Sequence, residues 1–407
     1  MSLPANVKEL DWKALATVPA PFHRHPDKAS HTVYGQRIED GHMVKGTGED
    51  HFISYHPHFL SLLGSNPSLK VVAERDYPFV HESGVWFEDL DEVVWTGNGL
   101  ENPKTGRKHT EIVKTNLTTN ECTVIPHTVP HPCGATINPE GTKVLFCSQG
   151  EDLVPGSITQ WDPRAPHATE PLLTNYRGLK LSSPNDIAFH FASGWVVFTD
   201  PCYAYMYSLH KHKPESPSGT VYAWHPATGF VDVLISNEGY VQPNGICFSP
   251  ARYVNGKYEG QNTVYVTDSG YKMAENAVED FDVKRPRAVY AYDFVVPEPI
   301  PGAPADAPPA PPRLYNRRLF AYCDSGMPDG IKADIEGNIW VACGDGVRAY
   351  SPAGQLLGLI NISGGCSNFV FVGGKEVLMA NEYKLYRAQL GIQGAYLTEK
   401  HLQHGSK

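Results

Sequence analysis

Residues 183–200 read Ser-Pro-Asn-Asp-Ile-Ala-Phe-His-Phe-Ala-Ser-Gly-Trp-Val-Val-Phe-Thr-Asp. A Pro-Asn-Asp turn leads into a short apolar run, a second turn follows at Ala192-Ser193-Gly194, and a β-branched and aromatic run ends at Thr199-Asp200. Turn residues on either side of such runs are the signature of a β-hairpin entered through a polar loop. The same unit recurs along the chain. Its opening turns are Glu82-Ser83-Gly84, Pro132-Cys133-Gly134, Pro184-Asn185-Asp186, Pro243-Asn244-Gly245, Pro328-Asp329-Gly330 and Cys366-Ser367-Asn368. Its second strands fall at 92–96, 143–147, 195–200, 263–268, 338–342 and 376–380, and residues 253–262 lengthen the turn of the fourth copy. A hairpin unit recurring every fifty residues or so is propeller-blade scale. One blade cannot bury both faces, whereas a closed ring of blades can. The expected fold is all-β, a six-bladed β-propeller over 81–400, with an N-terminal extension over 1–80 and a Pro/Ala-rich loop insertion at 297–313.

Within the extension, His56–Gly64 reads as a short helix ending at the glycine. Val71-Val72-Ala73-Glu74 reads as a strand that closes the ring against the last blade, which would protect the edge strands.

Composition agrees with many short strands. The chain has 407 residues, only 19% of them charged, with 37 Gly and 34 Pro, and no stretch sustains helical periodicity. The net charge of -10, without a Lys/Arg cluster, argues against nucleic-acid binding, which rests on phosphate neutralisation. No apolar run reaches the length of a membrane span. The first residues lack the basic start and apolar core of a signal peptide. The expected protein is therefore soluble, either cytoplasmic or secreted with its signal absent from this sequence. The eight Cys are scattered without zinc spacing, and those inside strands, such as Cys147, Cys247 and Cys343, read as buried free thiols. Asn116-Leu117-Thr118 and Asn361-Ile362-Ser363 match glycosylation acceptors, which matter only in a secreted protein.

The opening turns carry the chemistry. A residue at one register position in every blade points to the same axis. Asn185, Asn244 and Asp329 share that register and Glu82 stands one residue earlier, while Cys133 and Ser367 hold it in the other two copies. Pro-Asn-Gly and Pro-Asp-Gly are ordinary turns when met singly. Three oxygen donors in register, with a fourth one residue away, read instead as one hard-cation site, and an irregular all-oxygen set suits Ca2+ better than Mg2+ or zinc.

At these residues the chain resembles the SMP-30/gluconolactonase/LRE family of six-bladed propellers. The motifs are Glu82-Ser83-Gly84-Val85-Trp86, Ser183–Ile187 with Phe198-Thr199-Asp200-Pro201, Pro243-Asn244-Gly245 with Tyr265–Ser269, and Pro328-Asp329-Gly330 with Gly337–Val341. The N-terminal and Pro-rich additions are similar to the fungal lactonohydrolase branch, of gluconolactonase and D-pantolactone hydrolase type. The resemblance implies metal-dependent hydrolysis, usually with calcium, of sugar-acid or related small lactones. It places the metal ligands on Glu82, Asn185, Asn244 and Asp329, and the acid/base carboxylate on Asp329. The chain departs from the family at Ser83-Gly84, where Gly-Pro is usual, and at Cys202 and Ala204 after Thr199-Asp200-Pro201.

In such a mechanism the cation polarises the carbonyl and Asp329 assists proton transfer. His81, beside Glu82, and His131 are rival bases. Gln149, Asp268 and Asn368 sit where they can contact substrate hydroxyls, and Asp200 reads as a turn former. A serine hydrolase is disfavoured, since no Gly-x-Ser-x-Gly elbow is present. The competing readings are a calcium-dependent phosphotriesterase or fluorophosphatase, a non-enzymatic scaffold, and a metal-free synthase. Oligomeric state is not legible.

Overall fold

The computed structural model describes residues 3–4, 6–9 and 51–404, apart from 210, 212, 217–218, 237–238, 271–285, 299–300, 303, 305–306 and 308. Six sheets surround one axis, antiparallel throughout except where Val7–Glu9 runs parallel to His51–Ser54. The inner strands are Glu82–Phe87, Pro132–Ile137, Ile187–Phe189, Pro243–Phe248, Ile331–Ala333 and Asn368–Val372. Each pairs with the second strand read from the sequence, Glu92–Thr96, Val144–Ser148, Val196–Asp200, Thr263–Asp268, Ile339–Cys343 and Glu376–Asn381 in order. Two further strands complete most blades. The six-bladed propeller expected from the repeats is the fold.

The ring closes through the N-terminal segment. Ser68–Glu74 pairs antiparallel with Lys384–Gln389 and forms the outer strand of the sixth blade. The sixth blade therefore takes its outer strand from ahead of residue 81, because the repeat pattern marks only hairpins that begin with an opening turn. Upstream, His51–Ser54 adds to Leu356–Asn361 and Val7–Glu9 adds to His51–Ser54, so the fifth blade has six strands. The helix Pro57–Leu63 starts at Pro57, is capped by the His56 side chain and ends at Gly64, with Phe59, Leu62 and Leu63 buried. Gly358 makes room for it, since a Cβ there would lie 2.1 Å from the Phe59 ring.

Apolar layers between blades hold the ring together. Trp95, Trp161, Trp195 and Trp340 are among the largest fully buried side chains. Removing one such indole costs roughly 3–5 kcal/mol. Cys147, Cys247 and Cys343 are buried and free, as are Cys133, Cys323 and Cys366. The insertion lies between Ala288–Val295 and Arg313–Tyr322, so its last residue, Arg313, is already strand. Parts of it fall outside the described residues. The lengthened turn of the fourth blade is a hairpin of its own, Ala251–Val254 with Lys257–Gly260. Asn361 is buried within a strand, so its sequon is not an accessible acceptor in the folded chain. Among the described residues no helix is long and apolar enough to cross a membrane.

Candidate active site and metal centre

The register residues meet at one end of the channel because of how the inner strands begin. In the first, second and fourth blades the ladder slips at this point, between Ser83 and Val85, Pro132 and Ala135, and Pro243 and Ile246. A bulge re-aims the side chain beside it. The backbone there is then tied to the next blade. Ser83 Oγ and Thr96 Oγ1 donate to the Cys133 carbonyl at 2.6 and 3.1 Å, and Gly134 N to that of Asn185 at 2.8 Å. Thr199 Oγ1 donates to Asn244 at 2.7 Å and Thr267 Oγ1 to Asp329 at 3.0 Å. Gly330 N donates to Ser367 at 2.9 Å, and Ser367 Oγ returns to His81 at 2.6 Å. These bonds pass from each blade to the next until the ring is closed.

The glycine after the register residue belongs to the same arrangement. A Cβ on Gly134 would lie 2.3 Å from the Asn185 carbonyl, one on Gly245 2.4 Å from that of Asp329, and one on Gly330 2.5 Å from the Asn368 side chain. At these three positions the glycine allows the neighbouring backbone to approach, and a left-handed turn is not the reason for it.

Thr-Asp at the end of the second strand is equally structural. Thr199 and Thr267 make the bonds just described. Asp200 accepts from the amides of Ser182 and Ser183 at 3.0 and 2.6 Å. Asp268 accepts from Val241, Gln242 and Gly270 at 3.1, 3.0 and 3.0 Å. Each carboxylate thus fixes the loop that delivers Asn185 or Asn244. Asp268 is buried under that loop and does not line the pocket, so the structure gives it a positioning task in place of substrate contact.

Glu82, Asn185, Asn244 and Asp329 all line a cavity of about 360 Å3 at this end of the channel. Ligand atoms of His81, Glu82 and Asp329 lie within 4.8 Å of one another. Glu82 Oε2 accepts from Asn368 Nδ2 at 2.7 Å, and Asn368 Oδ1 is taken by Phe369 N. Asn368 therefore orients Glu82 from behind and is not a pocket wall. Asn185 turns its amide nitrogen to Cys133 Sγ, 3.4 Å away, and Asn244 its nitrogen to the Tyr203 hydroxyl, 3.2 Å away. Two buried oxygens, Asn185 Oδ1 and Asp329 Oδ1, have no hydrogen-bond partner. Such orphans are costly unless something else satisfies them. With the Glu82 carboxylate beside them, a divalent cation fits this donor set.

The electrostatics agree. Burial pushes the Glu82 carboxyl well up, and the nearby Asp329 charge adds to this. Burial also raises Asp329, to about 6, against the pull of His81. Two buried carboxyls that each resist ionisation are what a bound dication would relieve. His81 Nδ1 bonds Glu382 Oε1 at 2.5 Å, and its Nε2 lies 3.9 Å from Glu82 Oε1. Burial would lower this imidazole, but Glu382, backed by Glu82 and Asp329, overrides that and lifts it to about 10.

His131 is buried outside this pocket, with Nδ1 3.3 Å from Thr110 Oγ1. Gln149 lines the pocket and directs Nε2 to Cys133 Sγ at 3.4 Å. The sequence reading missed Glu382, Tyr203 and Lys108. Lys108 Nζ donates to the Tyr207 carbonyl at 3.1 Å, linking the first and third blades over the mouth. Tyr203 opens the short helix Tyr203–Met206, Lys108 stands in the short strand Lys108–His109 and Glu382 follows the strand Glu376–Asn381, all outside the repeat register, where no spacing marks them.

Known proteins share stretches of this sequence and its fold. Residues 304–379 match the family model described as SMP-30/Gluconolactonase/LRE-like region. Lactonohydrolase oryL of Aspergillus oryzae is 27% identical over 241 residues, spanning 56% of this chain and 49% of that protein. A gluconolactonase of Zymomonas mobilis is 26% identical over 239 residues, spanning 58% of each. The matches thus span about half the length of these curated relatives. A gluconolactonase structure from Xanthomonas campestris covers 83% of this chain, and the alignment takes in 93% of that structure, with a TM-score of 0.60 and 22% identity. The family resemblance read from the motifs is borne out.

Proposed function

We propose that this SMP-30/gluconolactonase/LRE-like propeller is a calcium-dependent lactonase. It opens small lactones of the aldonolactone or pantolactone type to hydroxy acids. The observation that carries the reading is the pair of unsatisfied buried oxygens, Asn185 Oδ1 and Asp329 Oδ1, beside Glu82 on the floor of the pocket. The relatives named for lactone hydrolysis support the reaction class, and the all-oxygen donor set supports calcium.

Glu82, Asn185, Asn244 and Asp329 would hold the cation. When bound, it would supply Lewis-acid polarisation of the lactone carbonyl. Asp329, which lines the pocket beside His81 and Glu82, accepts the proton of the attacking water. His81, oriented through Nδ1 by Glu382, presents Nε2 to the pocket and donates a proton to the leaving ring oxygen. Asn368 keeps Glu82 in place, and Gln149 faces the substrate.

The test is acid release from gluconolactone and pantolactone by chelator-stripped protein, with and without added calcium. Activity should return with calcium and be absent from a folded Asp329→Ala variant. Calcium binding without lactone opening, but with organophosphate cleavage, would replace the reading with a phosphotriesterase. Activity indifferent to the chelator would remove the cation from it.

A further inference from the structure

The same inner strands line a second cavity at the opposite end of the channel. It has a volume of about 110 Å3 and is walled by Val85, Ile137, Phe189, Ile246, Phe248 and their neighbours. The C-terminal segment lies across it, contributing Gln393–Thr398 and His401 to the wall. That segment is fastened to the rim. Ala395 N donates to the Ala333 carbonyl at 2.9 Å and Glu399 N to that of Pro139 at 2.9 Å. Lys400 Nζ bonds Glu88 Oε2 at 2.6 Å, and the His401 ring stacks on Trp86.

One wall residue does not belong in an apolar chamber. Lys332, half-buried on the inner strand Ile331–Ala333, reaches this cavity. Among the described residues its ammonium has no hydrogen-bond or ion-pair partner. Asp186 feels its charge but forms no hydrogen bond or ion pair with it, and its oxygens accept instead from Ile187 N at 2.9 Å and Ile246 N at 3.1 Å. The ammonium thus stands at a largely apolar wall as a cation with which a carboxylate can form a charge-assisted bond. Space of this size, somewhat below the ~150 Å3 that holds a benzene, suits a handful of heavy atoms.

We propose that this cavity is a second ligand site, which takes a small monocarboxylate with a short apolar tail. The carboxylate sits on the Lys332 ammonium and the tail lies among Val85, Ile137, Phe189, Ile246 and Phe248. The site is separate from the lactone pocket and does not depend on the activity assigned there.

The test is binding of propionate to the calcium-loaded full chain, by calorimetry and saturation-transfer NMR, with propionamide as its neutral counterpart. Propionate should bind at least roughly tenfold more tightly than propionamide, and Lys332→Met should erase that margin while Lys332→Arg keeps it. Asp329→Ala should leave propionate binding intact, which separates this site from a carboxylate resting on the cation. Equal binding by Lys332→Met and the unaltered protein would overturn the proposal. So would loss of binding in Asp329→Ala, or no binding up to about 10 mM. If Lys332→Met fails to fold, the propionate–propionamide contrast on the unaltered protein decides alone.

Discussion

The two ends of the channel are built from the same strands and solve opposite problems. At one end each strand begins with a polar residue whose backbone is locked to the next blade, and two carboxyls are forced together beside orphaned oxygens. A few residues further on, the same strands present Val85, Ile137, Phe189 and Phe248 to an apolar chamber closed by the C-terminal segment. The difference teaches how the repeat divides its work. The backbone at the register position ties the ring in five blades, and the His81 carbonyl does so in the first, whereas the register side chain brings an Asn or Asp oxygen to the pocket in only three, with Glu82 added from one residue earlier in the first. Cys133 and Ser367 keep the ring intact without supplying an oxygen ligand of the Asn/Asp/Glu kind.

The strongest way to break that division is at the glycines. Gly245→Val would drive a side chain into the Asp329 carbonyl, 2.4 Å from where its Cβ must stand. The expected cost exceeds about 4 kcal/mol, because the clash is with backbone and cannot be relieved by a rotamer change. Chemical denaturation should show the loss with or without calcium. A mild effect would mean the ring is looser than its hydrogen bonds suggest. Asp329→Ala attacks the side chain alone. Lactone hydrolysis should fall by roughly 10^3-fold. The melting temperature of the chelator-stripped protein should hold or rise, since one of two crowded carboxyls is gone. A large drop in that temperature would show that the carboxyl also serves the fold.

The far end has its own titration. His190 follows the inner strand of the third blade, is buried, bonds Ser193 Oγ at 2.7 Å and packs on Phe248 and Phe294. Burial lowers its pKa from 6.5 to about 4. The folded value is depressed, so the unfolded chain binds the proton first as pH falls. The stability contributed by the neutral ring is complete above 6.5 and is lost between there and about 4. The loss is on the order of 3 kcal/mol. His190→Gln should flatten the stability profile in this window, and an unchanged slope would refute the assignment.

Much of this was legible in the sequence. Six opening turns with six second strands fixed the blade count, and the shared register of Asn185, Asn244 and Asp329 brought the donor set together. Three things were hidden. Asp268 and Asn368 have the residue types of substrate contacts, but hydrogen-bond partners from distant loops occupy them. Glu382, just past a second strand, and Tyr203, at the start of a short helix, reach the site from positions with no periodic marker. The glycines looked like turn formers, because close approach between blades leaves no trace in one blade's own sequence.

The smallest predicted effect probes the join between backbone and side chain. Thr267 Oγ1 donates to the Asp329 carbonyl at 3.0 Å, the link through which the fourth blade sets the position of the fifth blade's ligand. Thr267→Val keeps the shape, removes the donor and leaves a buried carbonyl without it. The stability cost should be about 1–2 kcal/mol. Because Asp329 would keep its carboxyl but lose its fixed backbone, calcium affinity should weaken by a few-fold and kcat should fall with it, while Thr267→Ser restores both. Were the ring purely a device of the fold, Thr267→Val would lower stability and leave calcium affinity and kcat untouched. The two measurements together, calcium titration and melting of the same variant, say whether the ring only holds the blades or also aims the ligands.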